Sequence, residues 1–500
     1  MLRLGEARGR WVLFAAVLGS GMAMLDATVV NVALPTLGAE LHASLAGLQW
    51  TVNGYTLTLA ALILLGGALG DRYGRRRIFC IGVAWFATAS LLCGLAPNLP
   101  TLVAARALQG IGGALLTPGS LAIIQASFVP EDRARAVGAW SGLGGIAGAL
   151  GPFLGGWLLG VSWRLVFLVN VPLAVVVLAV AARHLPESRD PDASGRFDVA
   201  GAVLGALGLA GTTTALVRAG EAGWTASVAL AGLAGLLALV AFVLRERAAA
   251  QPMLPFALFR SGGFAAANAV TFAVYAALGG VFFLVALDLQ VSVGFSPLAA
   301  GTSILPVTVL MLALSARAGA LAQRIGPRLP MTVGPLVCAA GVLLLSRIEP
   351  GATYLRDVFP GMVLFGLGLS LTVAPLTTAV LAAAEDRRAG IASGVNNAVA
   401  RAAGLLAVAT LPLTSGLHGD DYRDPAAFTA GFSVALTQCA ALLAAGGLLA
   451  WLTIRRPVVP CTAPDRHWAC PVDGPPLEHP DAPRPAAAAS VTAPGQAAST

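Results

Sequence analysis

The chain has 500 residues, of which 57% are hydrophobic and 11% charged, with a mean hydropathy of +0.80; soluble domains carry roughly 25% charged residues, so a soluble globular protein is excluded. All 31 basic residues are arginine. Without lysine there is neither a phosphate-loop lysine nor a Schiff-base lysine, which excludes a conventional ATP-driven pump domain and a pyridoxal enzyme.

Fourteen long apolar windows follow one another along the chain, at 11–37, 41–70, 78–96, 99–130, 136–163, 165–182, 199–217, 222–244, 261–287, 289–316, 329–346, 358–384, 389–416 and 425–454. Each meets or approaches the ~20 residues that a bilayer crossing needs. The predicted fold is an all-α membrane protein with 14 transmembrane helices. Arg3, Arg8 and Arg10 before an apolar run imitate a secretory signal. The run continues past a signal core, so it reads as a retained first span.

Span 1 contains the stretch MLDATVVNVALP, in which Asp26 is the only charge from Trp11 to Ala39. An ionised carboxylate at mid-membrane costs roughly 2.5–3.5 kcal/mol even on lenient insertion scales, so it needs a partner. Span 4 supplies the matching oddity, Arg106. By helix rise Asp26 lies about 12 Å from one end of its span and Arg106 about 10 Å from the same end of its own. The two lone charges are therefore expected to pair across a water-filled cavity. A paired carboxylate stays ionised, and one parted from its cation takes up a proton, so the pair is a candidate proton-coupling device. A fixed ion pair that only sets helix register is the other reading.

Between spans 2 and 3 lies GALGDRYGRR (67–76). Gly74 permits a tight turn there, and Arg75 to Arg77 anchor the loop on the arginine-rich side. Asp71 at a helix C-terminus opposes the helix dipole, so a positive partner such as Arg72 or Arg135 is expected, forming a latch for one conformation. Span 5 carries Gly138, Gly142, Gly145, Gly148, Gly151 and Gly155 at three- or four-residue spacing, with Pro152 among them. That stripe suits either close backbone approach with a bend or tight static packing.

The loop motif recurs as GALAQRIGPR (319–328), with Gln323 in place of Asp71, and the span 4 region has a weaker echo at 364–390. Two six-helix bundles with one orientation follow, in chain segments 1–190 and 261–454, with two inserted transmembrane helices and their linkers at 191–260. Parallel repeats of this kind support rocking, alternating-access transport. Residues 455–500 are proline-rich without apolar periodicity and read as a disordered tail on the inner side. Cys461, His467, Cys470 and His479 fit no compact metal spacing, and no metal or cofactor is expected.

Placing the N-terminus in the cytoplasm puts 24 arginines on that side and five outside, the asymmetry of a multi-pass protein with both termini inside. The net charge of +7 then reflects topology and contact with the lipid bilayer, not nucleic acid. Softer candidates for a mostly apolar cavity are Asn31, Gln49, Trp50, Asn53, Tyr55, Gln109, Asn268, Tyr275 and Asn396, each also readable as a packing residue. Arg401, deep in span 13, either lines the cavity or caps neighbouring carbonyls, and Asp288 at a span end is expected to snorkel to water.

LDATVVNVALP (25–35), GALGDRYGRR (67–76), LVAARALQGIGGA (102–114), GPFLGG (151–156) and WRLVFLVNVP (163–172) stand in order at the ends or middles of five spans. With these the chain resembles the fourteen-helix drug:proton antiporters of the major facilitator superfamily, over residues 11–454. The resemblance implies export of hydrophobic or amphipathic drugs or antibiotics across the plasma membrane, driven by protons without ATP. It assigns Asp26 and Arg106 to proton coupling; Asp71, Arg72, Gly74 and Arg75 to gating; and Gly151, Pro152, Gly155 and Gly156 to the antiporter bend. Gln323 and Ala147 depart from the family pattern. Alternatives are an exporter of one endogenous metabolite or a proton-coupled importer. An enzyme is not expected, since no nucleophile–base pair stands out.

Overall fold

A computed structural model of the protein describes residues 2–454 except 191–197, 250–251 and 384–388, and leaves the side chains of 134, 149 and 389 aside. The tail from residue 455, with its cysteines and histidines, lies outside the described residues. Among the described residues, 14 helices are long and apolar enough to cross a membrane. They are α1 (Ala7–Glu40), α2 (Leu45–Tyr73), α3 (Arg75–Gly94), α4 (Leu99–Ser127), α5 (Pro130–Leu159), α6 (Arg164–His184), α7 (Val199–Ala222), α8 (Ala226–Ala248), α9 (Gly262–Val291), α10 (Pro297–Ile325), α11 (Arg328–Leu345), α12 (Tyr354–Ala382), α13 (Gly390–Ser415) and α14 (Pro425–Thr453).

Short polar signals mark where these helices begin. Ser44 accepts from the Gly47 amide, Asn98 from Thr101 at 3.0 Å and Ser296 from Ala299 at 3.2 Å, each satisfying a first-turn N–H that has no partner within its helix. Proline sits in the first turn of α4, α5, α10 and α14, where its missing N–H costs nothing. Gly74 separates α2 from α3 at φ +113°, a conformation glycine alone adopts readily. Glu187 then caps α3, accepting from the amides of Arg76 and Arg77 at 3.1 and 3.2 Å.

Two boundaries differ from the apolar windows. The ninth and tenth spans meet not at Asp288 but after Val291, because Ser296–Pro297 starts the next helix and Gly294 turns the chain at φ +78°. Asp288 is thus inside α9. In α6, regular helix breaks between Leu168 and Asn170. Pro172 explains this: it lacks an N–H and its ring crowds the carbonyl of Leu168 four residues back.

Packing relies on small residues, as expected where lipid removes the hydrophobic drive between helices. A Cβ on Gly112 of α4 would sit 2.6 Å from the Phe86 backbone of α3, and one on Gly156 of α5 would sit 2.6 Å from the Leu298 backbone of α10. The early and late helices are joined at the end of the bundle distal to the N-terminus. There Gln290 donates to the Val32 carbonyl at 3.0 Å, the Tyr422 hydroxyl to Ala43 at 2.7 Å, Leu45 N–H to Gly419 at 2.9 Å, and Gln49 to Val408 at 2.6 Å. The inserted helix α7 lies against that seam. Its Val217 packs with Ala46 of α2 and Ala409 of α13, and Glu221 accepts from Ser44 at 2.7 Å.

Candidate functional site

Asp26 and Arg106 meet inside the first six helices. Arg106 Nη1 lies 2.5 Å from Asp26 Oδ2, with 1% and 0% of the side chains exposed. The water-filled cavity expected around the pair is not there: the pair is dry. Protein dipoles replace the water. Gln109 Nε2 donates to Asp26 Oδ1 at 2.8 Å and Asn170 Nδ2 to the same oxygen at 3.2 Å. The guanidinium is satisfied in turn by the Thr51 carbonyl (Nε, 3.1 Å) and by Gln109 Oε1 (2.6 Å), and it stacks 4.5 Å from the Tyr55 ring centroid. A cation over an aromatic face gains about 2 kcal/mol when desolvated. Ser90 closes the network, accepting from Gln109 at 3.2 Å and Asn170 at 3.0 Å while donating to the Phe167 carbonyl at 2.9 Å.

Gln109 was foreseen as a cavity residue and instead holds the carboxylate, because residues 106 and 109 lie one turn apart on the same face of α4. Ser90 and Asn170 escaped the sequence reading. The signal for Asn170 was its place two residues before Pro172 in an apolar run, where the helix break turns its amide inward.

The α5 glycines divide into two groups. Gly138, Gly142 and Gly145 have nothing within 4 Å of an added Cβ, whereas Gly151 and Gly155 pack on Thr28 and Val29 of α1 and Gly156 on the start of α10. Close approach therefore belongs only to the distal third of the stripe. Pro152 removes the N–H that would bond the Gly148 carbonyl, and Thr28 Oγ1 takes its place, donating to that oxygen at 2.9 Å. Thr28 thus belongs to the bend, although its hydroxyl also lies 3.2 and 3.0 Å from the Met24 and Leu25 carbonyls of its own helix. Thr28→Val, similar in shape but without the donor, is expected to cost about 0.5–1.5 kcal/mol by removing the hydrogen bond to that half-buried carbonyl. Reversible unfolding in mixed micelles measures this; an unchanged midpoint would show that the carbonyl finds another donor.

Asp71 does not use Arg72 or Arg135. Its partner is Arg75, at 2.7 Å across the Gly74 turn, because that turn brings the next helix's first residue back over the carboxylate. Both side chains are partly exposed, so the bridge adds about 0–1 kcal/mol. Arg72 stacks on Tyr73 at 5.6 Å. Asp288 does not snorkel: it is 0% exposed and neither carboxylate oxygen has a hydrogen-bond partner, because it lies a turn inside α9. Of the other cavity candidates, Asn31 bonds its own helix at Ala27, Trp50 packs beside Ala46 and Val217, and Asn53 is fully buried with both amide atoms unpartnered. Asn396 donates to Thr271 at 2.7 Å and Asn268 at 3.2 Å, joining α13 to α9. Arg401 is partly exposed and caps no carbonyl among the described residues.

The family model for the Major Facilitator Superfamily matches residues 16–408. The chain belongs to that superfamily. Among similar proteins within it, the chain is 38% identical to the methylenomycin A resistance protein of Bacillus subtilis (strain 168), over 89% of this chain and 95% of that one. It is 36% identical to the tetracenomycin C resistance and export protein of Streptomyces glaucescens, over 83% of this chain and 78% of the other. In three dimensions the superfamily fold recurs in a bacterial homologue of the lysosomal transporter Spinster in an inward-facing, unoccupied conformation, at TM-score 0.64 and 17% identity, covering 90% of this chain and 97% of that one. It recurs also in a D-xylose–proton symporter at TM-score 0.63 and 16% identity, covering 90% of this chain and 99% of that one.

Proposed function

We propose that this superfamily member exports hydrophobic or amphipathic small molecules, of the drug and antibiotic type, from the cytoplasm across the plasma membrane in exchange for protons. The similarity to resistance and export proteins supports the cargo class and direction. The arginine distribution supports an N-terminus inside, which makes the distal end extracellular. The contacts that join the halves at that end then describe a conformation closed to the outside, while the unpacked inner stretch of α5 faces the cytoplasmic side.

The observation that carries the coupling is the Asp26 carboxylate held by Arg106, Gln109 and Asn170 in a dry site. Fully hydrogen-bonded, it is stable as an anion; once Arg106 turns to other acceptors, the anion is stranded in a low dielectric and protonation relieves it. Since Arg106 and Gln109 share one helix and Asp26 lies on another, a small shift of α1 against α4 changes both of these contacts together. In the outward-open state a proton enters from outside. Return to the closed-outside state re-forms the ion pair and releases the proton inward. Asp71–Arg75, with Gly74, holds the short loop as one rigid piece during this rocking, and the two six-helix bundles are the moving bodies.

Everted membrane vesicles test the reading. With the interior made acidic, the wild-type chain is expected to accumulate a fluorescent amphipathic drug, and a protonophore to abolish the accumulation. Uptake indifferent to the gradient would overturn proton exchange; movement in the opposite direction would make the chain an importer.

A further inference from the structure

Arg401 is the one charge in α13, eleven residues from Gly390 and fourteen from Ser415, or about 16 and 21 Å from the helix ends by the helical rise. Among the described residues it has no ion pair, hydrogen bond or ring partner. An unpaired guanidinium at mid-membrane is expensive to keep, and such residues commonly face a cavity and mark a substrate pathway.

Its direction follows from its neighbours along the helix. Gly394 packs on Leu64 of α2, and the Val408 carbonyl accepts from Gln49 of α2. Arg401 is seven residues, close to two full turns, from each, so it lies on the same α2-facing stripe. Gly404, one turn on, meets Gly279 of α9. The guanidinium therefore points into the seam between α2 and α9, away from lipid, one turn from the place where Gly404 meets the Tyr275 backbone of α9, 3.8 Å from an added Cβ.

A second polar group waits at the same level. On α2, Ala46, Asn53 and Leu64 fall on one face; Ala46 packs against Ala409 and Leu64 against Gly394. Between these contacts the antiparallel helices place Asn53 opposite the turn that carries Arg401. Asn53 is 0% exposed with neither amide atom hydrogen-bonded, an unused donor and acceptor within about a turn of the level of Arg401. Among the described residues no carboxylate bonds either of them. Asp26 is held by Arg106, Gln109 and Asn170, and Asp288 lies thirteen residues beyond Tyr275, about 20 Å along α9.

We propose that Arg401, with the Asn53 amide and the Tyr275 hydroxyl, forms an acceptor site for the acidic group of an amphipathic organic anion, so that the cargo is a carboxylate, sulfonate or acidic phenol with an apolar body. The proposal rests on the export reading for the word cargo, but its chemistry is one of binding alone. Tyr55, on the same helix as Asn53, carries the Arg106 guanidinium 4.5 Å from its ring centroid.

The test uses the purified full chain in lipid nanodiscs without any gradient, and three probes of one shape: 1-naphthaleneacetate, its neutral amide, and 1-naphthylmethylammonium. Wild-type protein is expected to bind the acetate at least about tenfold more tightly than the amide, and the ammonium least, by intrinsic tryptophan quenching corrected for lipid partitioning. Arg401→Gln is expected to erase the preference for the acetate while leaving amide binding unchanged, and Arg401→Lys to keep part of it. Equal binding of the three probes by wild type, no binding of the acetate, or a preference that survives in Arg401→Gln would overturn the site. Because the wild-type comparison alone can fail, the proposal stays exposed even if the glutamine variant does not fold. Loss of gradient-driven transport with the anion preference intact would sink the proton-exchange reading and leave this one standing.

Discussion

Asp26→Asn is expected to leave the chain folded and able to bind its cargo, while transport in everted vesicles falls to the level seen with a protonophore. The amide is nearly the same size as the carboxylate and still offers an oxygen to Arg106, but it cannot take up or release a proton. Arg106→Ala is expected to behave differently. It leaves a 0% exposed carboxylate with only the two amides of Gln109 and Asn170. Removing one partner of a buried ion pair costs about 3–5 kcal/mol, chiefly because the surviving charge is stranded. The arginine variant should therefore unfold at distinctly lower denaturant or accumulate poorly. The double variant Asp26→Asn/Arg106→Ala should recover much of that loss, since no ion is left behind. Reversible unfolding of the four proteins gives the coupling between the two positions. An arginine variant as stable as wild type would mean that the pair is not buried as described, and gradient-driven transport by Asp26→Asn would remove the carboxylate from the mechanism.

Gly156→Ala should shift the chain away from the conformation closed at its distal end. A methyl group there would lie 2.6 Å from both the Leu298 Cα and the Pro297 carbonyl oxygen, and these are backbone atoms that cannot rotate aside. Overpacking of this kind costs about 1–3 kcal/mol. In the outward-open state proposed above α5 and α10 part, so the cost falls on one of the two states, and 1–3 kcal/mol is about a 5–150-fold change in their ratio. A cysteine placed at Ser296, beside this contact, reports the change through its labelling rate with a membrane-impermeant maleimide. The rate should rise severalfold in the alanine background over the glycine parent. Unchanged labelling would show that the helices close without using this contact.

Much of this architecture was readable before any coordinates. Length and apolarity of the windows are enough for fourteen crossings, because a bilayer accepts little else. Lone charges in such windows are expensive, which made Asp26, Arg106 and Arg401 conspicuous at once. Helix limits near Asp288 were less legible: hydropathy is blind to a serine–proline cap, and a few residues decided whether that carboxylate was at a surface or in a core. The salt bridge of Asp71 was expected with Arg72 or Arg135, since charge alone names a partner only by sign, while the Gly74 turn selects Arg75 by geometry.

What the sequence determined by itself is therefore the class of protein, the number of crossings, the family motifs and the two opposite charges at one depth, all properties of single helices in a known solvent. Tertiary packing alone decided that the pair is dry, that Gln109, Asn170 and Ser90 hold it, and that Thr28 serves the carbonyl released by Pro152. Those are meetings between residues dozens to hundreds of positions apart. Helix rotation and crossing set them, and a hydropathy profile records neither.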